Sequence, residues 1–362
     1  MPKVGQVTSK TTERELTAVG VYVFAGGFTI GVKAVGFDVS HHFEDDPPYG
    51  ATIVKKNLPD IEIHAGFDNW PRLTGVDFVY GNPPCAAWSQ AGSANKAGKS
   101  WRDSSLVDCT RRHFSLLDLM RPRVWAWESV QRAWTLGREL VDELASEAAK
   151  IGYSTTIWLH DAVNLGVPQK RPRFFMVCHD VELDFKDRYD PPITVEMALR
   201  GVDRGEPLEK FLNSMSRDVI EQMNTGENLR SAWERWRGNR PVKLNSRGQV
   251  KGRPSFSYIR PRPDAPSQVI RQEMIHPTEN RGMSENEIKT LCGFPKSYSF
   301  DGRKDAPYLI GRGVCPPVAK HLAQIVSDGI ASGKSITIPF YRVVNQTKSP
   351  TTTLLIKEMS DA

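Results

Sequence analysis

Short apolar runs alternate with longer stretches of helical periodicity through the first half of the chain. A strand of a buried parallel sheet reads as a short apolar run, and the crossover to the next strand usually contains a helix. The pattern therefore predicts an α/β fold with a mostly parallel sheet and right-handed crossovers. The predicted strands are 18–24, 36–39, 61–65, 76–80, 124–128, 154–161 and 174–178, and the predicted helices are 29–35, 105–120 and 139–150.

The pattern changes near residue 187 and becomes regular again after residue 276. The intervening segment is polar, is helical only in places, and becomes rich in Gly, Pro and Arg towards its end. We therefore expect a second, smaller domain, followed by a return of the chain to the first one. The predicted divisions are 17–186 for the main domain, 187–272 for the smaller domain, 273–330 for the return, which includes helices at 284–291 and 316–327, and 331–362 for a tail with one strand-like run at 336–344.

Composition limits the class of protein. The 362 residues are 39% hydrophobic and 25% charged, which is typical of a globular protein. No apolar run reaches the roughly 18 residues of a membrane span, and the polar residues 1–15 do not resemble a signal peptide. The five cysteines are scattered without a Cys-x-x-Cys pair, which argues against a zinc site or a disulfide framework. We therefore expect a cytoplasmic protein with no metal site.

Positive charge is concentrated in one part of the chain. The net charge is +6, but residues 230–271 alone contain eleven Lys or Arg and only two acids. Trp233, Trp236, Phe256 and Tyr258 are interleaved with these cations. A basic stripe with aromatic residues is typical of a surface that binds a nucleic-acid backbone, although a solvated charged surface would look similar.

Cys85 follows the predicted strand 76–80 through the sequence Gly81-Asn82-Pro83-Pro84. In an open α/β sheet, ligands bind at the carboxyl ends of the strands. Two prolines fix two φ angles, so this turn would present the thiol at that edge. The alternative is an ordinary loop with a buried cysteine.

A glycine-rich turn follows the first predicted strand and opens a helix. Glycines let a ligand approach the backbone closely, and a helix N-terminus offers free N–H groups. Glu44 ends the next strand, where an acid can hold ribose hydroxyls, and Asp68 follows the third, where it can accept from an adenine amino group. Tight packing of the turn and solvated loop acids are the alternatives. The turn consists of Phe24, Ala25, Gly26, Gly27 and Phe28.

Further motifs follow these in a fixed order. Together with Pro83-Pro84-Cys85 and the glycine turn, their order and spacing resemble the motif series of the DNA (cytosine-5)-methyltransferases. The resemblance covers about residues 21–180 and 276–325, and the basic stripe falls where that family has its variable target recognition domain. The further motifs are Trp127-Glu128-Ser129-Val130, Gly166-Val167-Pro168-Gln169-Lys170-Arg171-Pro172-Arg173, Leu291-Cys292-Gly293-Phe294-Pro295 and Ile310-Gly311-Arg312-Gly313-Val314-Cys315-Pro316-Pro317-Val318-Ala319.

The resemblance implies a Rossmann-like methyltransferase fold and a reaction. Cys85 would add to C6 of a cytosine flipped out of duplex DNA, so that C5 can take a methyl group from S-adenosylmethionine. Glu128 would bond N3 and the 4-amino group of the base. Arg171 and Arg173 would brace the base and the active-site loop, and the loop at 86–100 would close over the base.

The resemblance and the residues together give the binding expectations. The 316–327 helix should pack beside the glycine turn. We expect a monomer whose cofactor site comprises the glycine turn, Glu44, Asp68, Pro83, Gly313 and Val314. Among the DNA contacts, Arg260 and Arg262 are expected at base edges. Ser89 is expected at the DNA, and the phosphate contacts are expected from Arg235, Arg237, Lys243 and Lys251.

The chain departs from the family pattern in four places. The glycine turn is two residues shorter than Phe-Ala-Gly-x-Gly-Gly-Phe, Ala86 replaces a Gln, Ser129 replaces an Asn, and Arg312 replaces an Asn. Two alternatives to a DNA methyltransferase therefore stay open. One is an enzyme of the same fold that acts on RNA or installs a different C5 group, and the other is a DNA-binding homologue without activity.

Overall fold

The computed structural model contains one central sheet of nine strands in the order β3-β2-β1-β4-β5-β7-β6-β8-β9. The strands are β1 (Thr17–Val21), β2 (Asp38–Glu44), β3 (Glu62–Ala65), β4 (Phe78–Gly81), β5 (Val124–Val130), β6 (Ser154–Asp161), β7 (Pro172–His179), β8 (Phe340–Gln346) and β9 (Thr352–Glu358). The structure describes residues 14–45, 47–88, 101–207, 214–238, 241, 243–246, 258–271 and 274–359.

Parallel pairing predominates in the sheet. The pairs β1–β2, β2–β3, β1–β4, β4–β5 and β6–β8 are parallel, whereas β7 runs antiparallel between β5 and β6, and β9 runs antiparallel to β8. The predicted α/β fold class with a mostly parallel sheet is therefore confirmed. Because β7 runs against β5, the end of β5 and the start of β7 meet at one edge of the sheet.

The helices cover both faces of the sheet. They are α1 (Gly27–Lys33), α2 (Ala51–Asn57), α3 (Leu106–Met120), α4 (Gln131–Leu136), α5 (Arg138–Lys150), α6 (Val195–Leu199), α7 (Ser214–Glu221), α8 (Leu229–Arg237), α9 (Glu285–Leu291), α10 (Ala306–Arg312) and α11 (Pro316–Ser332). Short helices α2, α4 and α10 were absent from the sequence prediction, and α11 extends five residues beyond its predicted end at 327.

Alternate residues of β4 belong to different apolar cores, as the period of a strand requires. Phe78 and Tyr80 pack in the core that includes residues of α1 and α11. Val79 packs in the core that includes residues of α3 and α5. A third, small cluster around Ile220 and Trp233 lies in the segment predicted as the smaller domain.

Helix α1 and helix α11 lie in direct contact although they are almost 300 residues apart. A Cβ atom on Gly31 would lie 2.5 Å from the Cβ atom of Ala319, and one on Gly27 would collide with the carbonyl oxygen of Val314. Glycine is thus required at both positions, because only a residue without a side chain permits this approach. The predicted packing of the 316–327 helix beside the glycine turn is confirmed.

The segment predicted as a tail is instead part of the sheet. Strand β8 pairs with β6 from Thr155 to His160, and β9 pairs with β8. The strand-like run predicted at 336–344 overlaps β8, whereas β9 was not predicted, because it is largely exposed and lacks the apolar alternation of a half-buried strand. Among the described helices, none is long and apolar enough to cross a membrane.

Candidate active site

Cys85 lies just beyond the end of β4, at the carboxyl edge of the parallel strands. The chain leaves β4 at Gly81, and the backbone N–H of Asn82 donates to the carbonyl oxygen of Val21 at 3.1 Å. A tight turn then closes, in which the N–H of Trp88 donates to the carbonyl oxygen of Cys85 at 3.1 Å. Cys85 is a free, partly buried thiol, and Trp88 is fully buried beneath the turn.

Glu128 is a buried carboxylate near the end of β5 with two side-chain partners. The Nε atom of Arg173 lies 3.1 Å from Oε1, and the side-chain amide of Asn82 donates to Oε2. Both partners come from chain segments that begin or end at the same sheet edge. Cys85, Glu128 and Arg173, which lie far apart in the sequence, are therefore brought together as predicted for one centre.

The charges of this centre lie in a nonpolar environment, and the pKa values reflect it. Burial raises the pKa of Glu128 above its usual value, and the charges of Arg173 and Arg171 oppose that increase. Burial also lowers the pKa of Arg173 to about 10, and neighbouring Arg171 adds to this effect. The ion pair of Glu128 and Arg173 therefore lies in a site where electrostatic interactions are stronger than in water.

Burial raises the pKa of the Cys85 thiol. Arg173 is the strongest of the charges that lower this pKa again, the carboxylate of Glu128 raises it further, and Arg312 and Arg171 each lower it. The thiolate form needed for nucleophilic attack thus depends on the cations around it.

Arg171 holds the backbone behind this centre. Its guanidinium is buried, and Nη2 donates to the carbonyl oxygens of Gly311 and Gly313 at 3.0 and 2.9 Å. Nη1 contacts the side-chain oxygen of Gln169 and the carbonyl oxygen of Ile270, each at 3.4 Å. Four protein acceptors contact Nη1 and Nη2, whereas Nε is buried without a partner among the described residues. The expected contact of Arg171 with the base and the active-site loop stays a prediction. The charge of Arg171 also lowers the pKa of Cys85.

The glycine turn and Glu44 form a second polar site beside the first. Glu44 ends β2, and Oε1 of its buried carboxylate accepts a hydrogen bond from the N–H of Val23 at 2.8 Å. Burial raises the pKa of Glu44 well above its usual range. Phe24 and Gly26 both have positive φ angles, of 53° and 78°, so the turn is tightly folded. The carboxylate therefore fixes the backbone of the turn that precedes α1.

The other residues expected at the cofactor surround this turn. The carbonyl oxygen of Ala25 accepts a hydrogen bond from the hydroxyl of Tyr298 at 2.6 Å. Gly27 faces Val314, and Gly313 follows the last residue of α10. The buried Pro83 lies between Asn82 and Cys85, and Phe28 is buried in the core under α1. Asp68 is exposed in a 3-10 turn that follows β3.

Two of the arginines expected at the DNA, both on α8, already have partners within the protein. Arg235 on α8 forms an ion pair with Glu227 and donates to the carbonyl oxygen of Gln222 at 2.6 Å. The guanidinium of Arg237 lies over the ring of Trp233, 5.5 Å from its centre. Lys243 is exposed. Ser89 and Lys251, also expected at the DNA, lie outside the described residues.

Arg260 and Arg262 differ in a way that the sequence did not indicate. Arg262 is exposed and pairs with Asp264 through contacts of 2.9 and 2.6 Å. Arg260 is buried, and it donates to the carbonyl oxygen of Ile220 and the side-chain oxygen of Asn280, both at 2.8 Å. It also donates to the carbonyl oxygens of His276 and Glu279 at 3.1 and 3.2 Å. Burial and these four contacts disfavour the expected contact of Arg260 with a base edge, although its Nε has no partner among the described residues.

Two residues of the site were not assigned a role from the sequence. Asn82 orients Glu128, and its own side-chain oxygen is buried without a recorded partner in the described part of the chain. Its position next to Pro83-Pro84-Cys85 was the available signal. Arg312, which departs from the family pattern, lies over the ring of Tyr308 at 3.9 Å and adds positive charge near Cys85.

Several known proteins are similar to this chain over most of its length. The type II methyltransferase M1.HphI of Haemophilus parahaemolyticus is 26% identical over 338 residues, which cover 86% of each chain. The type II methyltransferase M.NgoPII of Neisseria gonorrhoeae is 24% identical, and the match covers 89% of this chain and 98% of that protein. The solved structure of the Entamoeba histolytica methyltransferase EhMeth has a TM-score of 0.59 and 13% identity, and covers 88% of this chain and 99% of that one. This last likeness bears on the fold alone.

The sheet thus carries a thiol, a carboxylate and a guanidinium at its carboxyl edge. The family model for C-5 cytosine-specific DNA methylases matches residues 21–327, so the chain belongs to that family. It is thus a DNA cytosine-5 methyltransferase, and its methyl donor is S-adenosylmethionine.

Proposed function

We propose that Cys85, Glu128 and Arg173 carry methyl transfer to C5 of a cytosine that has been flipped out of duplex DNA. The observation that supports this assignment is the contact of Arg173 and Asn82 with the buried carboxylate of Glu128 beside the thiol. Two chain segments thus reach a carboxylate that is carried by a third. Such convergence holds a group in a fixed position before the substrate arrives.

In this proposal the thiolate of Cys85 forms a bond to C6, and the electron pair of the C5–C6 double bond moves to C5. Bound S-adenosylmethionine would supply the methyl group as an electrophile, and the electron pair of its sulfonium C–S bond would leave on sulfur as the neutral thioether S-adenosylhomocysteine. The C5 proton then leaves to water, its electron pair restores the double bond, and the thiolate of Cys85 departs. The chain thus regains its starting state.

Glu128 lowers the cost of the charge that develops on the ring. Because burial raises its pKa, the carboxyl group holds a proton more readily than an exposed glutamate does. In the protonated form it can donate a hydrogen bond to N3 of the base while its other oxygen accepts from the 4-amino group. Arg173 fixes the carboxyl group in this orientation through its contact of 3.1 Å.

The residues at the glycine turn fit the cofactor. Glu44 has a buried carboxylate, and within the described residues a protein hydrogen bond reaches only its Oε1 atom. The second oxygen is a suitable acceptor for the ribose hydroxyls. Asp68 is exposed beyond β3 and is suited to the amino group of the adenine. Phe24, Gly26 and the backbone near Gly313 would enclose the remainder.

The segment 187–272 is proposed to recognise the DNA. Its small apolar cluster, which includes Val219, Ile220, Leu229 and Trp233, supports a unit with its own core. Arg235, Arg237, Lys243 and Arg262 are the proposed contacts, together with Ser89 and Lys251. Phosphate contacts position a protein but carry no direct sequence information. With so few side chains left for base edges, we expect a recognition site of about two to four base pairs.

The biological role, the oligomeric state and the location of the enzyme are also proposals. The names of the relatives M1.HphI and M.NgoPII place them among type II methyltransferases, which supports a role in restriction and modification. We further propose that the enzyme acts as a monomer and that it works in the cytoplasm. The five free cysteines support the second of these proposals.

Trapping of the covalent adduct tests the assignment of Cys85. A duplex that carries 5-fluorocytosine should form a stable adduct in the presence of S-adenosylmethionine, because fluorine at C5 leaves no proton to remove. Peptide mapping should place the adduct on Cys85. Cys85→Ala should form no adduct and transfer no methyl group, yet still bind DNA, since the phosphate contacts are unchanged.

The matched control is Cys109→Ala, which removes another free thiol and should leave adduct formation intact. An adduct that maps to Cys109 or Cys292 would refute the assignment. Mass analysis of nucleosides from modified DNA would show whether the product is 5-methylcytosine or a base with another C5 group.

A further inference from the structure

A group of two histidines and a glutamate lies on the outer strands of the sheet, away from the catalytic cysteine. His41 is on β2, and Glu62 and His64 are on the edge strand β3. In the parallel register His41 is opposite Glu62 and Phe43 is opposite His64. The side chains of all four residues therefore project from the same face of the sheet, because alternate residues of a strand share a face.

The ligand atoms of this group are close enough to share one ion. Nδ1 of His41 lies 3.0 Å from Nε2 of His64. The two oxygens of Glu62 lie 3.8 Å from these nitrogens, Oε2 from His41 and Oε1 from His64. In the part of the chain that the structure describes, no other set of three His, Cys, Asp or Glu side chains has its ligand atoms within 4.8 Å of one another.

These separations match those of a tetrahedral metal site. Metal–ligand distances of about 2.0–2.1 Å place neighbouring ligand atoms about 3.3 Å apart. The observed distances of 3.0 and 3.8 Å lie on either side of that value. An ion could therefore bind with shifts of a few tenths of an ångström, which the side chain of Glu62 can supply because 67% of it is exposed.

The surroundings favour a fixed site. The side chains of His41 and His64 are only 23% and 15% exposed. The ring of buried Phe43 contacts the ring of His64 edge to face at 5.5 Å, and Trp70 stacks on Phe43 at 5.2 Å. An apolar shell of this kind fixes the ligand rings and limits solvent access, as is common around metal ions. The exposed Glu62 leaves an entry path.

We infer that His41, Glu62 and His64 form a binding site for a divalent transition-metal ion such as Zn²⁺. Two imidazoles and one carboxylate are a ligand set that zinc accepts, with a fourth position left for water. The argument from the sequence against a zinc site considered only the cysteines, and the spacing of these three residues on two strands gave no motif. The site is separate from the proposed catalytic chemistry.

Metal retention tests the inference directly. Protein freed of metal with a chelator should retain one equivalent of Zn²⁺ in equilibrium dialysis at micromolar free metal. His64→Gln should lose this equivalent. Glu62→Gln, at an exposed position where folding is not at risk, should bind at least about tenfold more weakly. The control His321→Gln, which removes a histidine of α11 outside the group, should behave as the wild type.

Two further measurements separate this site from adventitious binding. Zn²⁺ should raise the melting temperature of the wild type and of Cys85→Ser, but not that of His64→Gln. Co²⁺ should give a tetrahedral spectrum without a thiolate charge-transfer band. Either a thiolate band, or retention that is unchanged in His64→Gln, or no retention by the wild type would overturn the inference. The last result would mean that His41 and His64 only share a hydrogen bond.

Discussion

The catalytic region and the basic region each contain two arginines separated by one residue, and the two pairs are built alike. In each pair the first arginine, Arg171 or Arg260, is buried and donates to main-chain carbonyl oxygens of distant segments. The second, Arg173 or Arg262, pairs with a carboxylate. The first member of each pair therefore joins segments of the fold, whereas the second has a partner with which a substrate group can compete.

The two regions differ in the environment of the second arginine. Arg173 and Glu128 are almost completely buried, with 13% and 4% of their side chains exposed. Arg262 and Asp264 are exposed by 59% and 64%. Exposed ion pairs are screened by water and salt and are worth little, whereas a buried pair is costly to break. Fixed geometry is thus expected at the reacting base and exchangeable pairing at the DNA surface.

The largest effect is expected at the buried pair. Glu128→Gln keeps the shape of the side chain but removes the titratable proton, so methyl transfer should slow by about 10²–10⁴-fold. DNA affinity should change little. Single-turnover kinetics measure the rate, and Glu143→Gln, an exposed acid on α5 paired with Arg111, is the control. Equal rates for the two variants would place the base contact elsewhere.

The next largest effect is expected at Arg171 and Arg260, the buried arginines that join segments of the fold. Arg171→Met and Arg260→Met leave buried carbonyl oxygens without a donor. Each hydrogen bond from a charged donor contributes about 1.5–3 kcal/mol, so loss of the two shortest should lower the free energy of unfolding by about 3–6 kcal/mol. Arg262→Met should unfold as the wild type does. Denaturant titration measures this, and a stable Arg260→Met would remove the parallel between the two regions.

Variants of Glu44 test whether one buried carboxyl group can both fix the glycine turn and bind the cofactor. Glu44→Ala should weaken S-adenosylmethionine binding by about ten- to a hundredfold, because a charge-assisted hydrogen bond of about 1.5–3 kcal/mol is lost. Glu44→Gln can still accept from the N–H of Val23, so it should remain as stable as the wild type while binding more weakly. Calorimetry gives both affinities. Unchanged binding in Glu44→Ala would move the ribose acid to Asp38 or Asp45.

The smallest effect is expected at the exposed pair. Arg262→Ala should weaken DNA binding a few-fold. A phosphate contact would also reduce the slope of log affinity against log salt by about 1, whereas the base-edge contact expected from the sequence would relax specificity at one base. Asp264→Asn should have the opposite effect on affinity, because it frees Arg262 from its partner. Binding measured across salt concentrations checks both. No change in either variant would mean that the pair only solvates the surface.

The sequence predicted the elements whose packing is visible in their own residues. Strand β6 was predicted at its observed bounds, because its run of β-branched and aromatic residues is buried along most of its length. Helix α10 was missed because it has no side-chain cap and contains Pro307 and Gly311, whereas the equally short α9 begins with a capping box at Ser284 and Glu287. The motif order brought Cys85, Glu128 and Arg173 together correctly. It could not distinguish Arg260 from Arg262, because the acceptors of Arg260 lie 16 to 40 residues away in the chain.

The hairpin of β8 and β9 has a practical consequence for handling this protein. A chain shortened to Ser332 would retain every motif residue but would lose both strands. The backbone of β6 from Thr155 to His160 would then be uncovered along one side. A long apolar strand with unpaired N–H and C=O groups invites pairing between molecules. Precipitation of such a shortened protein would therefore result from the newly exposed edge of β6, and not from a change in the catalytic residues.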